Sequence, residues 1–270
     1  MFGPLFAFEL RGHFRRPVTW LYVAIMFLMA FFATSTDAVV VGDSLGKLKR
    51  NSPFALAQLF TILLAVGQVI TGALVSSAVL RDFDLRVHDL VFTTRITRLE
   101  YLASKFLAAF LAMVLVFGAV PLGALVGSVA PWTDTAYIQP IVLWHYLHPW
   151  LVIGLPGIFF LSATLFAVGA ITRSAFAGYV TGFLLLVGFT VSESLTRTLD
   201  NDRIANLLDP FALRSFTLVT RYWTPAEKNT LVLPWNGFLA ENRLLWMGIG
   251  AALLLLAFRV VRLESAAGAL

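Results

Sequence analysis

The amino-acid sequence predicts an all-α, polytopic membrane protein, and three observations carry that prediction. Of the 270 residues, 59% are hydrophobic and only 13% are charged, whereas globular domains hold about 45–50% apolar and about 25% charged residues. A soluble fold of this composition would lack the polar side chains to cover its surface. Charged residues are absent from long runs such as 51–80 and 135–172, which favours helices over the alternating segments of a β-barrel. The absence of cysteine excludes a disulfide scaffold.

Six stretches are long and apolar enough to cross a hydrocarbon core of about 30 Å. The last is the shortest, and Arg259 and Arg262 lengthen it because arginine side chains reach toward the interface. The chain 1–270 is therefore predicted to be a single membrane domain. Its predicted spans are about 18–38, 55–80, 106–129, 148–171, 174–192 and 243–260.

The segment before the first span, 1–16, predicts an amphipathic helix that lies in the membrane interface and ends at Pro17. Apolar residues at near-helical spacing are followed by basic ones, and the small-residue cleavage site of a signal peptide is absent from this segment. A frayed basic terminus is the alternative. The residues of interest in this elbow helix are Glu9, Arg11, Arg15 and Arg16.

Basic residues set the predicted orientation. With the N-terminus in the cytoplasm, the whole net charge of +5 falls on the inner side of the six-span arrangement. Six of the seven tryptophans fall at the outer interface, and Trp20 falls at the inner one. Both termini are therefore predicted to be cytoplasmic.

The loop 81–105, between the second and third spans, has the highest density of charge. The spacing of Arg81 and Asp84 predicts that the second span continues as a helix into this loop. Thr97 and Glu100 have the spacing of a capping box, so a new helix is predicted from Arg98 into the third span. Two interpretations stay open from the residues alone: a solvated hairpin, or a docking element for a cytoplasmic partner.

The elbow and this loop together resemble permease subunits of type-2 ABC exporters. The elbow of that family, with its glutamate and basic residues, is similar to Phe6 to Arg16, and the motif of its cytoplasmic loop is similar to Asp89 to Phe106. Thr94 stands where the family usually has a proline. The resemblance implies that the loop is a coupling helix seated in a groove of an ATPase subunit. The residues it assigns to coupling are Arg81, Asp82, Asp84, Arg86, Asp89, Thr93, Arg95, Arg98, Glu100 and Lys105.

The resemblance also implies a location and partners. The protein is expected in the bacterial cytoplasmic (inner) membrane, in contact with lipid and not with nucleic acid, as a homodimer or paired with a second six-span permease. An ABC ATPase subunit is expected to bind ATP and magnesium, so no cofactor is expected in this chain. Gly42 to Lys47 lacks the spacing of a P-loop. The chain is thus expected not to be an enzyme itself.

The second long loop, 193–243, is predicted to lie outside the membrane as a set of short interfacial helices. Helical spacing occurs in 202–208 and 211–219, and Thr224 to Glu227 is a helix-start pattern. The loop is similar to a subgroup in which such a permease precedes a zinc-aminopeptidase-like domain, although no His-Glu-x-x-His occurs here. The residues that carry this resemblance are 208–211, 220–224, 227–229 and 242–246. A scaffold or assembly factor that binds a partner through this loop is the alternative function.

Other motifs predict packing or no site at all. His145 and His148 have the spacing of metal ligands but no cysteine or nearby carboxylate, so they are predicted to be boundary residues. The sequence offers no constellation for an intramembrane enzyme, a third functional class. The pairs Gly123/Gly127 and Gly178/Gly182 permit close helix approach, within one subunit or across a dimer.

Overall fold

The computed structural model describes residues 2–36, 48–84, 96–196 and 201–261, without the side chains of 82–84, 192–193 and 195–196. The described residues form helices and no strand. The helices are α1 (Phe2–Phe14), α2 (Pro17–Ser35), α3 (Pro53–Asp84), α4 (Arg98–Ser128), α5 (Leu143–Pro149), α6 (Leu155–Thr172), α7 (Ala175–Thr196), α8 (Asp202–Leu207), α9 (Leu213–Thr220), α10 (Pro225–Thr230) and α11 (Gly237–Val260). A 3₁₀ turn at Thr135–Tyr137 and a π turn at Trp150–Gly154 complete the described elements.

Five segments in this part of the chain are long and apolar enough to cross a membrane, which confirms a helical membrane protein. They are Pro17–Ser35, Pro53–Arg81, Arg98–Ser128, Leu143–Thr172 and Gly237–Val260. The fifth predicted span corresponds to α7, whose apolar part Ala175–Val191 is shorter than these five. The five segments satisfy the backbone within each helix, as a lipid environment requires.

The fourth and last spans begin earlier in the structure than the sequence suggested. The fourth helical segment begins at Leu143, and a π turn in which the Leu155 N–H donates to the Trp150 carbonyl carries it past Pro149. Proline lacks the N–H that a regular helical turn uses, and the wider hydrogen bonding of a π turn lets the helix continue past it. The last helix begins at Gly237, six residues before the predicted start. Arg243 is buried within the protein, so its charge does not mark the start of the helix.

The helices α3, α4 and α6 form the centre of the bundle. α2 packs along α4, and α11 packs along α6. Rings of α4 and α6 pack together near the start of α4, where Phe106 meets Phe166 edge-on at 5.4 Å between centroids. α7 covers α3 and α6 and leaves Phe176 and Phe183 exposed. The outward faces of α2, α7 and α11 are apolar, as lipid-facing surfaces are.

Small residues allow the closest helix approach, and it occurs within the chain. A methyl group at Gly123 would overlap the Phe27 carbonyl oxygen, and one at Gly127 would overlap Thr34 and the Phe31 carbonyl. The Thr34 hydroxyl donates to the Ala124 carbonyl at 3.1 Å across this contact. The first glycine pair therefore packs α4 on α2. Gly178 makes a similar contact with Ser76 on α3, whereas Gly182 has open space.

The short helices between 202 and 230 confirm the helical pattern predicted within 193–243. α8 and α9 are separated by a turn at Asp209 and Pro210, and α10 begins at Pro225. The Thr224 hydroxyl accepts from the Glu227 N–H at 3.3 Å, and the Glu227 carboxylate accepts from the Thr224 N–H at 2.7 Å. This reciprocal capping box explains why a six-residue helix forms at this point.

Candidate functional site

Helix α1 meets the C-terminal end of α3 and the N-terminal end of α4 around one buried carboxylate. Glu9 accepts from the Lys105 ammonium at 2.8 Å, and the Arg81 guanidinium lies 3.7 Å from its other oxygen. The side chain of Lys105 is 0% exposed and that of Glu9 is 3% exposed. Lys105 also donates to the Ala78 carbonyl at 3.4 Å. One carboxylate thus joins α1 to both helices that flank 85–95.

The helical repeat places Glu9 and His13 on the same face of α1, the face that packs against α4. Arg11 and Arg15 fall on the opposite face and are exposed, together with Phe8. Gly12 lets Arg81 approach, because a Cβ there would lie 3.1 Å from its guanidinium nitrogen. The packed face of α1 is therefore polar, and its outward face carries phenylalanine and arginine.

His13 is enclosed beside this cluster as a neutral imidazole. Burial lowers the pKa of His13 from 6.5 to about 4, and the positive charges of Arg16, Arg81 and Lys105 add to the effect. A positive charge on His13 would face three cations already present, those of Arg16, Arg81 and Lys105. The cluster is consequently built for one carboxylate and its cations, with no room for a protonated histidine.

The start of α4 confirms the predicted capping box at Thr97 and Glu100. The Thr97 hydroxyl accepts from the Glu100 N–H at 3.3 Å, and the Glu100 carboxylate accepts from the Thr97 N–H at 3.0 Å. Arg98 donates to the carbonyls of Arg259 and Val261, at 3.1 and 3.2 Å. A cation at the carboxyl end of α11 satisfies carbonyls that the helix leaves open. The segment after 95 is thus anchored to the last span.

The predicted coupling residues are placed in three different environments. Lys105 is internal and ion-paired, Arg81 lies at the edge of the cluster, and Glu100 and Arg98 lie at the surface. On the elbow, Arg16 is half-buried, and burial lowers its pKa. The predicted sites at Arg86, Asp89, Thr93 and Arg95 lie outside the described residues, as do the side chains of Asp82 and Asp84.

A buried polar cluster at the opposite end of the bundle was missed by sequence reasoning. Arg243 is 1% exposed and donates to the Pro210 carbonyl at 3.0 Å and to the Asn242 side chain. Asn242 donates to the carbonyls of Asn206 and Asp209. The Asp209 carboxylate accepts from the N–H groups of Phe211 and Arg214, at 2.8 and 2.6 Å. Burial raises the pKa of Asp209 against the lowering effect of these bonds.

A second missed site is Asn51, which ties two outer segments together. Its side chain accepts from the Gln139 N–H at 2.9 Å and donates to the Gln139 carbonyl at 2.8 Å. It also donates to the Tyr146 hydroxyl at 3.2 Å, which itself donates to Ser128 at 2.9 Å. The neighbouring Lys49 N–H donates to Asn229 at 2.9 Å. We call this set, at 48–52, 134–139 and Asn229, the outer clasp.

The described part of the chain holds no group of three or more histidine, cysteine, aspartate or glutamate side chains that could bind a metal. His145 and His148 lie one turn apart on α5, and the ring of His148 packs edge-on against Trp144 at 5.2 Å between centroids. Comparison with protein-family models and with curated proteins finds no match. The geometry of the ion-paired elbow is therefore the main structural guide to function.

Proposed function

We propose that this chain is the membrane-spanning permease subunit of an ATP-driven exporter that resembles the type-2 ABC family. The observation that carries the proposal is the Glu9 cluster. One buried carboxylate holds Lys105 at 2.8 Å and Arg81 at 3.7 Å, so α1, α3 and α4 converge where the loop 85–95 joins them. A partner ATPase that pressed on this loop would move three helices together.

The packing of α2 extends this connection across the bundle. α2 follows α1 directly at Pro17, and Trp20 donates to the Phe14 carbonyl at 2.8 Å, which fixes the angle between them. Farther along, the α2 backbone at Phe27 lies against Gly123 of α4, and Thr34 with the Phe31 carbonyl lies against Gly127. A displacement of the elbow would therefore reach the outer half of α2 and α4 as a rigid-body motion, since close-packed helices transmit strain.

In the proposed arrangement α7 also crosses the membrane, as the fifth of six spans, and both termini lie in the cytoplasm of a bacterial cell with the protein in its inner membrane. α1 lies in the interface with its exposed Phe8, Arg11 and Arg15 toward lipid. Two such chains, or this chain and a second permease, would form the transport path. The partner subunit would bind ATP and magnesium.

Co-purification with candidate ATPases of the same genome tests the partnership. We expect one ATPase to remain bound in gentle detergent, and Asp89→Asn, Arg95→Gln and Glu100→Gln to weaken that complex. Glu241→Gln is the matched control, because it alters an exposed ion pair with Arg203 near the outer end of α11. A chain that remains alone beside every candidate ATPase contradicts the proposal.

Coupling requires a second measurement. Complex formation should change the ATPase rate, since energetic coupling is reciprocal. Glu9→Gln leaves the loop sequence intact but removes the charge that holds Lys105 and Arg81. We expect this variant to bind the ATPase and to lose the change in ATPase rate. A variant that binds and still changes the rate fully would exclude the Glu9 cluster as the connection.

One observation favours the alternative function, a membrane scaffold that binds a partner through its outer segment. Tyr222 is 86% exposed beside Arg221, and Trp235 is 47% exposed on the same segment. Exposed aromatic side chains beside arginine are typical of binding surfaces. Reconstitution with the ATPase in liposomes distinguishes the two functions, because a scaffold supports neither transport nor ATPase stimulation.

A further inference from the structure

A groove of about 280 Å³ lies between α4 and the segment formed by α5 and the π turn. Its walls are hydrocarbon, and the hydroxyl of Tyr146, a polar atom among them, is already bonded to Ser128 at 2.9 Å. Leu122, Leu143 and Leu147 stand at its rim and are exposed on the outside of the bundle. The other lining residues are Gly118, Pro121, Leu125, Tyr146 and Trp150.

The groove follows from local sequence features of both walls. Gly118 has no side chain, and a Cβ at this position would meet open space. Pro121 follows it within α4, where its ring replaces a backbone N–H. On the other wall, the π turn at Trp150–Gly154 widens the helix that follows Pro149. Pro121 of α4 and Trp150 of the π turn line the same space, which stays unfilled.

The position of the groove indicates what can occupy it. It lies in two of the segments that are apolar enough to cross a membrane. From Gly118 to Leu125 it runs about 10 Å along α4, at about 1.5 Å per residue. Trp144 adjoins the lining residue Leu143, and Trp132 follows the end of α4; both are exposed, and tryptophan marks the boundary with headgroups. The groove is therefore parallel to lipid chains and begins at the headgroup boundary.

We propose that this groove binds one acyl chain of a membrane phospholipid, with the headgroup at the level of Trp132 and Trp144. Hydrocarbon walls exclude a polar solute, because its hydrogen bonds would go unmet. A cavity of about 150 Å³ holds benzene, so this one has the capacity for a longer hydrocarbon. A chain enclosed by Gly118, Leu125 and Trp150 gains dispersion contacts that a chain in fluid lipid lacks. The site is independent of the transport proposal and needs no ATPase.

Fluorescence quenching by a phosphatidylcholine brominated at mid-chain tests the site, because Trp150 forms part of its wall. The signal of Trp150 is the difference between the wild-type chain and Trp150→Phe, both in nanodiscs. We expect this signal to be quenched at a low fraction of brominated lipid, to saturate, and to recover when the unbrominated lipid is added. Quenching that rises in proportion to the brominated fraction, without saturation, overturns the proposal. This result is decisive with the wild-type chain and Trp150→Phe alone.

Two matched leucine substitutions assign the saturable signal to the groove. Gly118→Leu fills it, and Gly248→Leu places the same side chain in open space at a similar depth on α11. We expect Gly118→Leu to abolish saturable quenching of Trp150 and Gly248→Leu to preserve it. Native mass spectrometry should show the same difference, as one retained phosphatidylcholine that is lost only with Gly118→Leu. Equal saturable quenching or equal retention in both variants contradicts the assignment.

Discussion

At the scale of single residues, a charge inside this protein depends on a partner far along the chain. Glu9 and Lys105 are 96 positions apart, and each is almost fully buried. Removing one member of a buried pair costs much more than replacing both with apolar groups, because the remaining charge is left uncompensated. Arg81 lies 3.7 Å from Glu9, so Glu9 keeps a positively charged neighbour when Lys105 is replaced.

We predict that Glu9→Leu lowers the free energy of unfolding by about 3–5 kcal/mol, because Lys105 stays buried without its carboxylate. Lys105→Met should cost less, since Glu9 keeps Arg81. The double variant Glu9→Leu/Lys105→Met should be more stable than Glu9→Leu. Thermal unfolding in detergent gives the comparison, with Glu241→Gln, at an exposed pair, costing about 1 kcal/mol or less. Additive losses in the double variant would contradict a direct pair.

The second prediction at this scale concerns His13. Its pKa is lowered from 6.5 to about 4 in the folded protein, so the unfolded chain takes up the proton first as the pH falls. Stability is therefore lost between pH 6.5 and pH 4, by about 3 kcal/mol, since one pKa unit corresponds to about 1.4 kcal/mol. His13→Asn should flatten the dependence of the melting temperature on pH in that window. An unchanged pH profile in His13→Asn would show that other groups are responsible.

At the scale of helices, two glycines of α4 respond oppositely to an added side chain. Gly123 and Gly118 lie five residues apart, and their surroundings differ completely. A methyl group at Gly123 has no space against the Phe27 carbonyl, and backbone cannot move aside as a flexible side chain can. The sequence predicted close approach at Gly123 and Gly127, but the choice of α2 as the partner depends on tertiary packing.

We predict that Gly123→Ala destabilises the protein by about 1–3 kcal/mol, the usual cost of overpacking. Gly118→Ala on the same helix should instead be neutral or stabilising by up to about 1 kcal/mol, because alanine favours helix and meets no neighbour. The melting temperatures of both variants in the same detergent provide the measurement. If Gly118→Ala were the more destabilising variant, the packing of α2 on α4 described above would be wrong.

Sequence reasoning succeeded where the physical cause was local. The capping boxes at Thr97 and Thr224 are contacts three residues apart, so their spacing is visible in the sequence. The Pro210 carbonyl bound by Arg243 and the Gln139 backbone bound by Asn51 are more than 30 residues away, and no local pattern indicates them. Lysine is usually found at the surface, but Lys105 lies on a helix that α1 covers and is buried there. Which charges are buried is decided by the packing of helices, and a single sequence carries little of that information.

At the scale of the whole molecule, polar clusters lie at both ends of an apolar bundle. The Glu9 cluster joins α1, α3 and α4 at one end. At the other end, the Arg243 cluster joins α11 to the turn between α8 and α9, and the outer clasp joins the start of α3 to the segment before α5. Apolar packing between them provides bulk cohesion but little directional specificity. The two ends therefore add directional contacts to the packing between the helices.

The outer clasp yields the last prediction, because Asn51 supplies bonds that no apolar side chain can replace. Asn51→Leu leaves the N–H and carbonyl of Gln139 without their partner and removes one bond of Tyr146. We expect a loss of about 1–3 kcal/mol, since a buried group left unpaired costs about that much, and because Gln139 is half-buried, water replaces part of its lost bonding. Gln139→Ala is the matched control, because the clasp uses the backbone of Gln139 and its side chain makes only a weak contact of 3.5 Å.

Hydrogen exchange separates a local loss from a cooperative one. If the clasp unites three outer segments, Asn51→Leu should accelerate amide exchange at Gln139, at Lys49 and within α10, since Lys49 donates to Asn229. Exchange in α4 near Lys105 should stay as slow as in the wild-type chain, because the Glu9 cluster is intact. Faster exchange at Gln139 alone would mean that the outer segments open independently. Cooperative opening would then be confined to the end of the bundle that holds Glu9.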